Sequence, residues 1–191
     1  MKLIDGKLVS GEIKENLKKE IEELGLKPGL AIILVGDNPA SEVYVKNKLL
    51  ASEKIGVDAK LYRFDASSSE SEVIECVKKL NASDDVHGII VQSPVADGFN
   101  EAYINSFISP EKDVDGFGIT NMGYLASNEE KFLSATPHGI IKLLEYENIP
   151  IKGSNIVIVG RSKIVGRPLA LALLNRDATV TITHSKTKDL K

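Results

Sequence analysis

A continuous apolar run, Leu30 to Val35, lies between Gly29 and Gly36 and is the feature that most constrains this chain. A strand with one wet face alternates apolar and polar residues. An unbroken run bounded by turn residues reads instead as a strand buried on both faces, as in a parallel sheet. Parallel strands need crossover connections, and the neighbouring segments supply them. Val9, Ile13, Leu17, Ile21 and Leu24 recur at helical spacing and stop at Gly25. A helix is expected from about Ser41 to Lys54, and a weaker strand over Leu61 to Phe64. A further helix is expected from Ser69 to Leu80, then a second buried strand from Val86 to Gln92. This order of helix, strand, helix, strand, helix, strand predicts an α/β architecture with a parallel sheet.

Pro94 to Gly123 is rich in turn residues and polar side chains, with a compositional seam near Gly116 to Asn121. Beyond it, Pro137 suits a first helical position, and that helix is expected to run to about Glu147. A strand from Asn155 to Val159, a helix from Val165 to Asn175 and a strand from Thr179 to Thr183 follow. Strand, glycine turn, helix and strand in this order open a nucleotide-binding βαβ fold. Such sheets usually carry five or six strands, so the sequence is expected to be a fragment or to obtain its other half elsewhere.

The 191 residues are 42% hydrophobic and 27% charged, ordinary for a globular protein, with a formal net charge of −3. That charge provides no basic field to draw nucleic acid. No apolar run approaches the roughly 20 residues that span a bilayer, so no membrane partner is expected. The N-terminus turns polar at once, unlike a signal peptide. The lone Cys76 lies in the helical pattern Val73, Ile74, Val77, Leu80 and is expected to pack in a core. One cysteine forms no internal disulfide, and a reducing cytoplasm is the expected compartment.

Four groups of residues are candidates to carry chemistry. Gly160-Arg161-Ser162-Lys163-Ile164-Val165-Gly166 follows an apolar strand and opens a helix. Glycines there let N–H groups approach a pyrophosphate, although G-x5-G is also compatible with an ordinary βα turn. At the end of the next strand an NAD site places an acid against the ribose 2′-hydroxyl. This chain has His184-Ser185-Lys186-Thr187-Lys188, which favours a 2′-phosphate and hence NADP, with Arg161 and Ser162 adding to the pocket.

Ser41, Tyr44 and Lys48 lie three and four residues apart and share a helix face beside Val45 and Leu49. That face is either a platform for a flat substrate with a lysine able to exchange protons, or the edge of an amphipathic helix. Gln92 ends a buried strand, where ligands of open α/β sheets bind. It either orients a lysine head group and a water or caps a loop. Asp113 and Asp115 are paired acids after Pro110. No His or third acid at ligand spacing supports a metal, and a carboxylate could instead accept two N–H groups of a heterocycle edge. The residues alone leave these alternatives open.

Together these segments resemble the bifunctional methylenetetrahydrofolate dehydrogenase/methenyltetrahydrofolate cyclohydrolase (FolD) family. The matching stretches occur in the family's order and cover nearly the whole chain. They are Ser41-x-x-Tyr44-Val45-x-x-Lys48, Gly88-Ile89-Ile90-Val91-Gln92-x-Pro94, Pro110 to Phe117, Thr136-Pro137-x-Gly139, Gly160 to Pro168, and Ala178 to Thr181 with His184-Ser185. The resemblance implies an N-terminal three-layer α/β catalytic domain over 1–118. A truncated Rossmann-like NADP-binding domain would fill 119–191. It also implies oxidation of 5,10-methylenetetrahydrofolate with NADP, then hydrolysis of the methenyl product to 10-formyltetrahydrofolate. A cyclohydrolase-biased member and a non-catalytic remnant are the alternatives.

Under this resemblance Lys48 is the central catalytic residue, Gln92 tunes it, Tyr44 stacks on the aminobenzoyl ring and Asp115 binds the pterin edge. Gly160, Arg161, Ser162, Ile164, Gly166, His184 and Ser185 would hold the cofactor, and a homodimer is expected. Three positions depart from the family pattern. Ser93-Pro94-Val95-Ala96 follows Gln92 in place of Leu-Pro-Leu-Pro, Gly118-Ile119 stands for His-Pro, and Ala135 for cysteine. The resemblance also implies a C-terminal segment that the matching stretches do not include.

Overall fold

The computed structural model describes residues 3–190. The chain forms two compact units. One comprises Ser10–Val114; the other comprises Asp115 onward together with the residues up to Val9.

The first unit contains most of α1 (Gly6–Glu23), then β1 (Gly29–Val35), α2 (Pro39–Ile55), β2 (Asp58–Phe64), α3 (Glu70–Asn81), β3 (Gly88–Val91) and α4 (Glu101–Asn105). Its sheet has the order β2-β1-β3, with both pairings parallel. The run from Leu30 to Val35 is the central strand. Ala31, Ile33 and Val35 point to a core with Val73, Val77 and Leu80 of α3 and Ile104 of α4. Ile32 and Leu34 point the other way, to Val45 and Leu49 of α2. Helices cover both faces, which makes three layers. A right-handed crossover from β1 out to β2, then one back across β1 to β3, puts α2 and α3 on opposite faces.

Local signals set the helix ends. The Asn38 side chain accepts from the N–H groups of Ala40 and Ser41, and Pro39 opens α2. Ser69 and Glu72 form a capping box at α3, with Ser69 N donating to Glu72 Oε2 at 2.7 Å and Glu72 N donating to Ser69 Oγ at 3.2 Å. Bonding first to the Ser69 N–H and then to its hydroxyl holds the Glu72 carboxyl below the usual carboxylate range. Its support of α3 is therefore present at neutral pH and lost as acid protonates it. Cys76 is half-buried against the α3 side of the core, and burial pushes its thiol up.

The second unit contains α5 (Ile119–Ala126), α6 (Ala135–Tyr146), β4 (Asn155–Val159), α7 (Gly166–Leu174) and β5 (Thr179–Thr183). β4 and β5 pair in parallel, from Asn155↔Thr179 to Val159↔Thr183. Ile158 joins Leu169, Ala172 and Leu173 of α7, Ile141 of α6 and Leu125 of α5 in its core. Val157 and Val159, on the opposite face of β4, are exposed.

The structure differs from the sequence expectations at several ends. The first helix starts at Gly6, β2 starts at Asp58, and β3 is confined to Gly88–Val91. Pro137 is the third residue of α6, not its first, because Ser134 provides the non-helical cap position. A proline is tolerated anywhere in the first turn, where its missing N–H has no intrahelical acceptor to lose. The stretch from Pro94 to Gly123 also holds α4 and the start of α5, helices too short to give a periodic signal.

Lys112 closes the first unit. Its Nζ donates to the carbonyls of Asn81 at 2.8 Å, Ser83 at 2.7 Å and Leu80 at 3.3 Å, capping the C-terminus of α3. Lys112→Met keeps the aliphatic stem and removes the charge-assisted bonds. We expect it to lower unfolding free energy by about 1.5–3 kcal/mol in urea titrations. Stability within about 0.5 kcal/mol of wild type, the usual range for a neutral surface change, would show that the cap contributes nothing.

Candidate functional site

The C-terminal edge of the first sheet gathers several of the expected residues. Parallel strands all end on this edge, and α2 begins there just after β1. Ser41 is fully buried, and its Oγ donates to the Ser93 carbonyl at 3.2 Å. That bond ties the first turn of α2 to the residues after β3. Ser41 is therefore a structural link between helix and loop. Ser93 also donates through its hydroxyl to the Glu101 carboxylate on α4, so the loop is held from both sides.

Gln92 sits immediately after β3, and its N–H donates to the Ile33 carbonyl at 2.8 Å. Its side chain is 8% exposed. Nε2 donates to the Ser93 carbonyl at 2.7 Å, while Oε1 has no hydrogen-bond partner among the described residues. A buried amide oxygen without a donor costs about 1–3 kcal/mol. It is suited to an ammonium, a water or a ligand N–H. Tyr44 and Lys48 follow Ser41 on the same helix. Tyr44 is 62% exposed and Lys48 is half-buried. Among the described residues Lys48 has no hydrogen-bond or ion-pair partner. A cation in that state is available to a ligand.

The segment before the second unit is laid along β3. Ile89 N donates to the Lys112 carbonyl at 2.8 Å, and Asp113 bridges to Ile89 in parallel register. Asp113 is buried at that bridge. Asp115, half-buried, is the residue at which the second unit begins. Among the described residues no group of three or more His, Cys, Asp or Glu side chains is arranged to hold a metal ion.

In the second unit the glycine turn is a close backbone crossing. Gly160 has φ 140°, and a Cβ on Gly166 would stand 2.3 Å from the Gly160 oxygen and 3.0 Å from the Arg161 Cα. Every obstructing atom is backbone, so only glycine fits at 166. Ser162 Oγ accepts from Val165 N at 3.2 Å and Gly166 N at 3.3 Å. It thereby takes two of the N–H groups that a helix start leaves open. Its hydroxyl hydrogen stays available to donate. Among the described residues the N–H groups of Arg161, Ser162, Lys163 and Ile164 have no protein acceptor. The Arg161, Ser162, Lys163 and Ile164 side chains are exposed. Free N–H groups beside exposed cations at a helix N-terminus form a cradle for phosphate oxygens.

Gly160 N donates to the Thr183 carbonyl at 2.8 Å, which brings this turn beside the end of β5. There His184 N donates to Thr187 Oγ1 and Thr187 N to the His184 carbonyl, both at 2.8 Å. Lys186 N donates to His184 Nδ1 at 3.1 Å, so a neutral His184 ring carries its proton on Nε2. The turn holds Ser185 and Lys186 exposed.

Sequence reasoning missed Ser134. It occupies the N-cap position of α6 yet makes no side-chain cap bond. It is 2% exposed, and its Oγ donates to the Ile164 carbonyl at 2.9 Å. A serine before a helix reads as a cap from sequence, and only the tertiary contact reveals its other use.

Gly166→Ala tests the crossing. The substitution forces Gly160 and Gly166 apart, a strain of about 1–3 kcal/mol, so dinucleotide Kd is expected to rise roughly tenfold or more. Titration that gives an unchanged Kd would show that the close approach is irrelevant to binding.

Two family models match this chain. Residues 4–115 match the catalytic domain of tetrahydrofolate dehydrogenase/cyclohydrolase, and residues 134–191 match its NAD(P)-binding domain. The bifunctional protein FolD of Bacillus subtilis is 47% identical over 191 residues, an alignment covering 98% of this chain and 68% of that protein. The crystal structure of the FolD methylenetetrahydrofolate dehydrogenase/cyclohydrolase from Campylobacter jejuni superposes with a TM-score of 0.95 at 45% identity, covering 99% of this chain and 68% of that one. The Trypanosoma brucei enzyme, complexed with NADP cofactor and inhibitor, superposes with a TM-score of 0.91 at 32% identity, covering 98% of this chain and 65% of that one. With both domains matched in order, the chain belongs to the tetrahydrofolate dehydrogenase/cyclohydrolase family.

Proposed function

We propose that this protein oxidises 5,10-methylenetetrahydrofolate to the 5,10-methenyl cation with NADP, then hydrolyses that cation to 10-formyltetrahydrofolate. One juxtaposition carries the reading. The glycine turn, with its unclaimed N–H groups, lies beside the carboxylate-free end of β5 in a chain whose other unit belongs to the folate family. Bound at this turn, NADP would supply the acceptor for the hydride of the folate methylene carbon. The protein's own task in that step is alignment, since hydride transfer needs no proton acceptor. Gly160 and Gly166 admit the pyrophosphate to the turn. Arg161 and Ser162, with His184 and Ser185, hold the 2′-phosphate by charge and hydroxyl donation. Ile164 provides the apolar edge of the turn.

The second step adds water to the methenyl carbon, releases one proton and opens the ring by breaking its bond to N5. It needs a group that moves protons. Lys48 is that group in this proposal. Gln92 Oε1, buried and lacking a partner among the described residues, accepts from the lysine or from the attacking water. Tyr44, exposed one turn earlier on α2, stacks on the aminobenzoyl ring. Asp115 accepts from the pterin N–H groups. In this proposal the folate-binding domain spans 1–118 and the dinucleotide-binding portion 119–191. Family likeness supports a homodimer in the cytoplasm. Among the described residues no helix is long and apolar enough to cross a membrane.

Lys48→Ala is the direct test. Removing a positioned acid–base group costs about 10²–10⁴-fold in the step it serves, so methenyl hydrolysis is expected to fall by that order. NADP affinity should stay at the wild-type value. Hydrolysis at the wild-type rate would remove Lys48 from the mechanism.

A further inference from the structure

The dinucleotide turn is held by a side chain that does not belong to it. Three observations meet at Ser134. It stands at the N-cap of α6 but leaves that helix without a side-chain cap. It is almost completely buried, at 2% exposure. Its hydroxyl donates to the carbonyl of Ile164 at 2.9 Å, in the middle of the glycine turn.

A serine at this position ordinarily turns its oxygen back to the N–H groups of its own helix. Here the hydroxyl is directed away, to a carbonyl thirty residues on. The consequence lies in the turn. A peptide unit is rigid, so fixing the Ile164 carbonyl also fixes the N–H of Val165, to which it is joined. Ser162 Oγ accepts from that N–H and from Gly166 N. The turn is thus gripped on opposite sides of one peptide plane, by Ser134 at the oxygen and by Ser162 at the nitrogen. Between this grip and the Gly160–Gly166 crossing lie Arg161, Ser162, Lys163 and Ile164, whose N–H groups have no protein acceptor among the described residues.

We infer that Ser134 is a positioning residue for the dinucleotide: it touches no phosphate, but holds the Arg161–Ile164 turn in the conformation that receives one. This rests on the proposed nucleotide role of the turn. The bond is preorganising, because it is made without ligand and spares the turn the ordering cost of binding. Its effect falls on nucleotide affinity, not on methenyl hydrolysis, which Lys48 and Gln92 serve in the proposed mechanism.

The test uses Ser134→Ala and the donor-retaining Ser134→Thr in the full chain. Amide hydrogen exchange is measured without ligand, NADP Kd by titration, and methenyl hydrolysis as the control. In Ser134→Ala, exchange at Val165 and Gly166, whose N–H groups are bonded to Ser162 Oγ, is expected to quicken, and NADP Kd to rise about three- to tenfold, the effect of one neutral hydrogen bond. Hydrolysis should stay within about twofold of wild type, since no hydrogen bond to the hydrolytic residues is lost. Ser134→Thr should restore exchange and Kd. Unchanged exchange in Ser134→Ala overturns the clamp whatever the nucleotide result. Quickened exchange with unchanged Kd overturns the positioning role. Wild-type protein that fails to bind NADP overturns the nucleotide reading of the turn, while the exchange data still decide whether Ser134 holds it. Quickened exchange throughout the unit with a fallen Tm marks Ser134 as merely structural and also contradicts the inference.

Discussion

Parallel strand pairing is the constraint from which the rest follows. Every strand pair among the described residues is parallel. Each connection must therefore cross a sheet face, and each strand's C-terminal end faces the start of a helix. In the first unit that rule places Gln92 at the end of β3 and the capped start of α2 on one edge. In the second it places the Gly160 turn beside the end of β5. Both proposed sites are products of the same topological rule, applied to sheets with different loops.

What distinguishes the two sites is how polar groups are left over. The folate side offers a buried amide oxygen without a donor among the described residues, and a half-buried lysine on the neighbouring helix. The nucleotide side offers backbone N–H groups at a helix start, aimed by a turn too tight for any side chain at Gly166. In our proposal one serves acid–base chemistry and the other holds phosphate. Their separation in sequence matches the division into two family domains at residues 4–115 and 134–191.

Much of this was legible in the sequence for physical reasons. Leu30 to Val35 had to be covered on both faces, and the structure covers them with α2 and α3. The glycine turn was legible because close backbone approach admits no substitute at Gly166. The caps at Asn38-Pro39 and at Ser69 with Glu72 were not among the sequence expectations, and the structure shows them setting the starts of α2 and α3. Other features were not legible. The short α4 lies within a polar stretch and has too few turns for a period to emerge. Lys112 and Ser134 act across 29 or more residues, on carbonyls that any residue type would present. A contact to a backbone oxygen leaves no mark on the partner's identity. Ser41 was placed on a face that is either a substrate platform or the edge of an amphipathic helix, and nothing in the sequence signals that its hydroxyl secures the loop after β3.

The central claim is that this chain oxidises its folate substrate with NADP and then hydrolyses the methenyl product. The most direct measurement mixes the purified protein with 5,10-methylenetetrahydrofolate and either NADP or NAD, and follows methenyl absorbance. The account predicts methenyl formation with a higher kcat/KM for NADP, because the β5 end offers His184, Ser185 and Lys186 where an NAD site needs a carboxylate. Folded protein that forms no methenyl product with either nucleotide would contradict it, and a higher kcat/KM with NAD would contradict the assignment of the 2′-phosphate pocket.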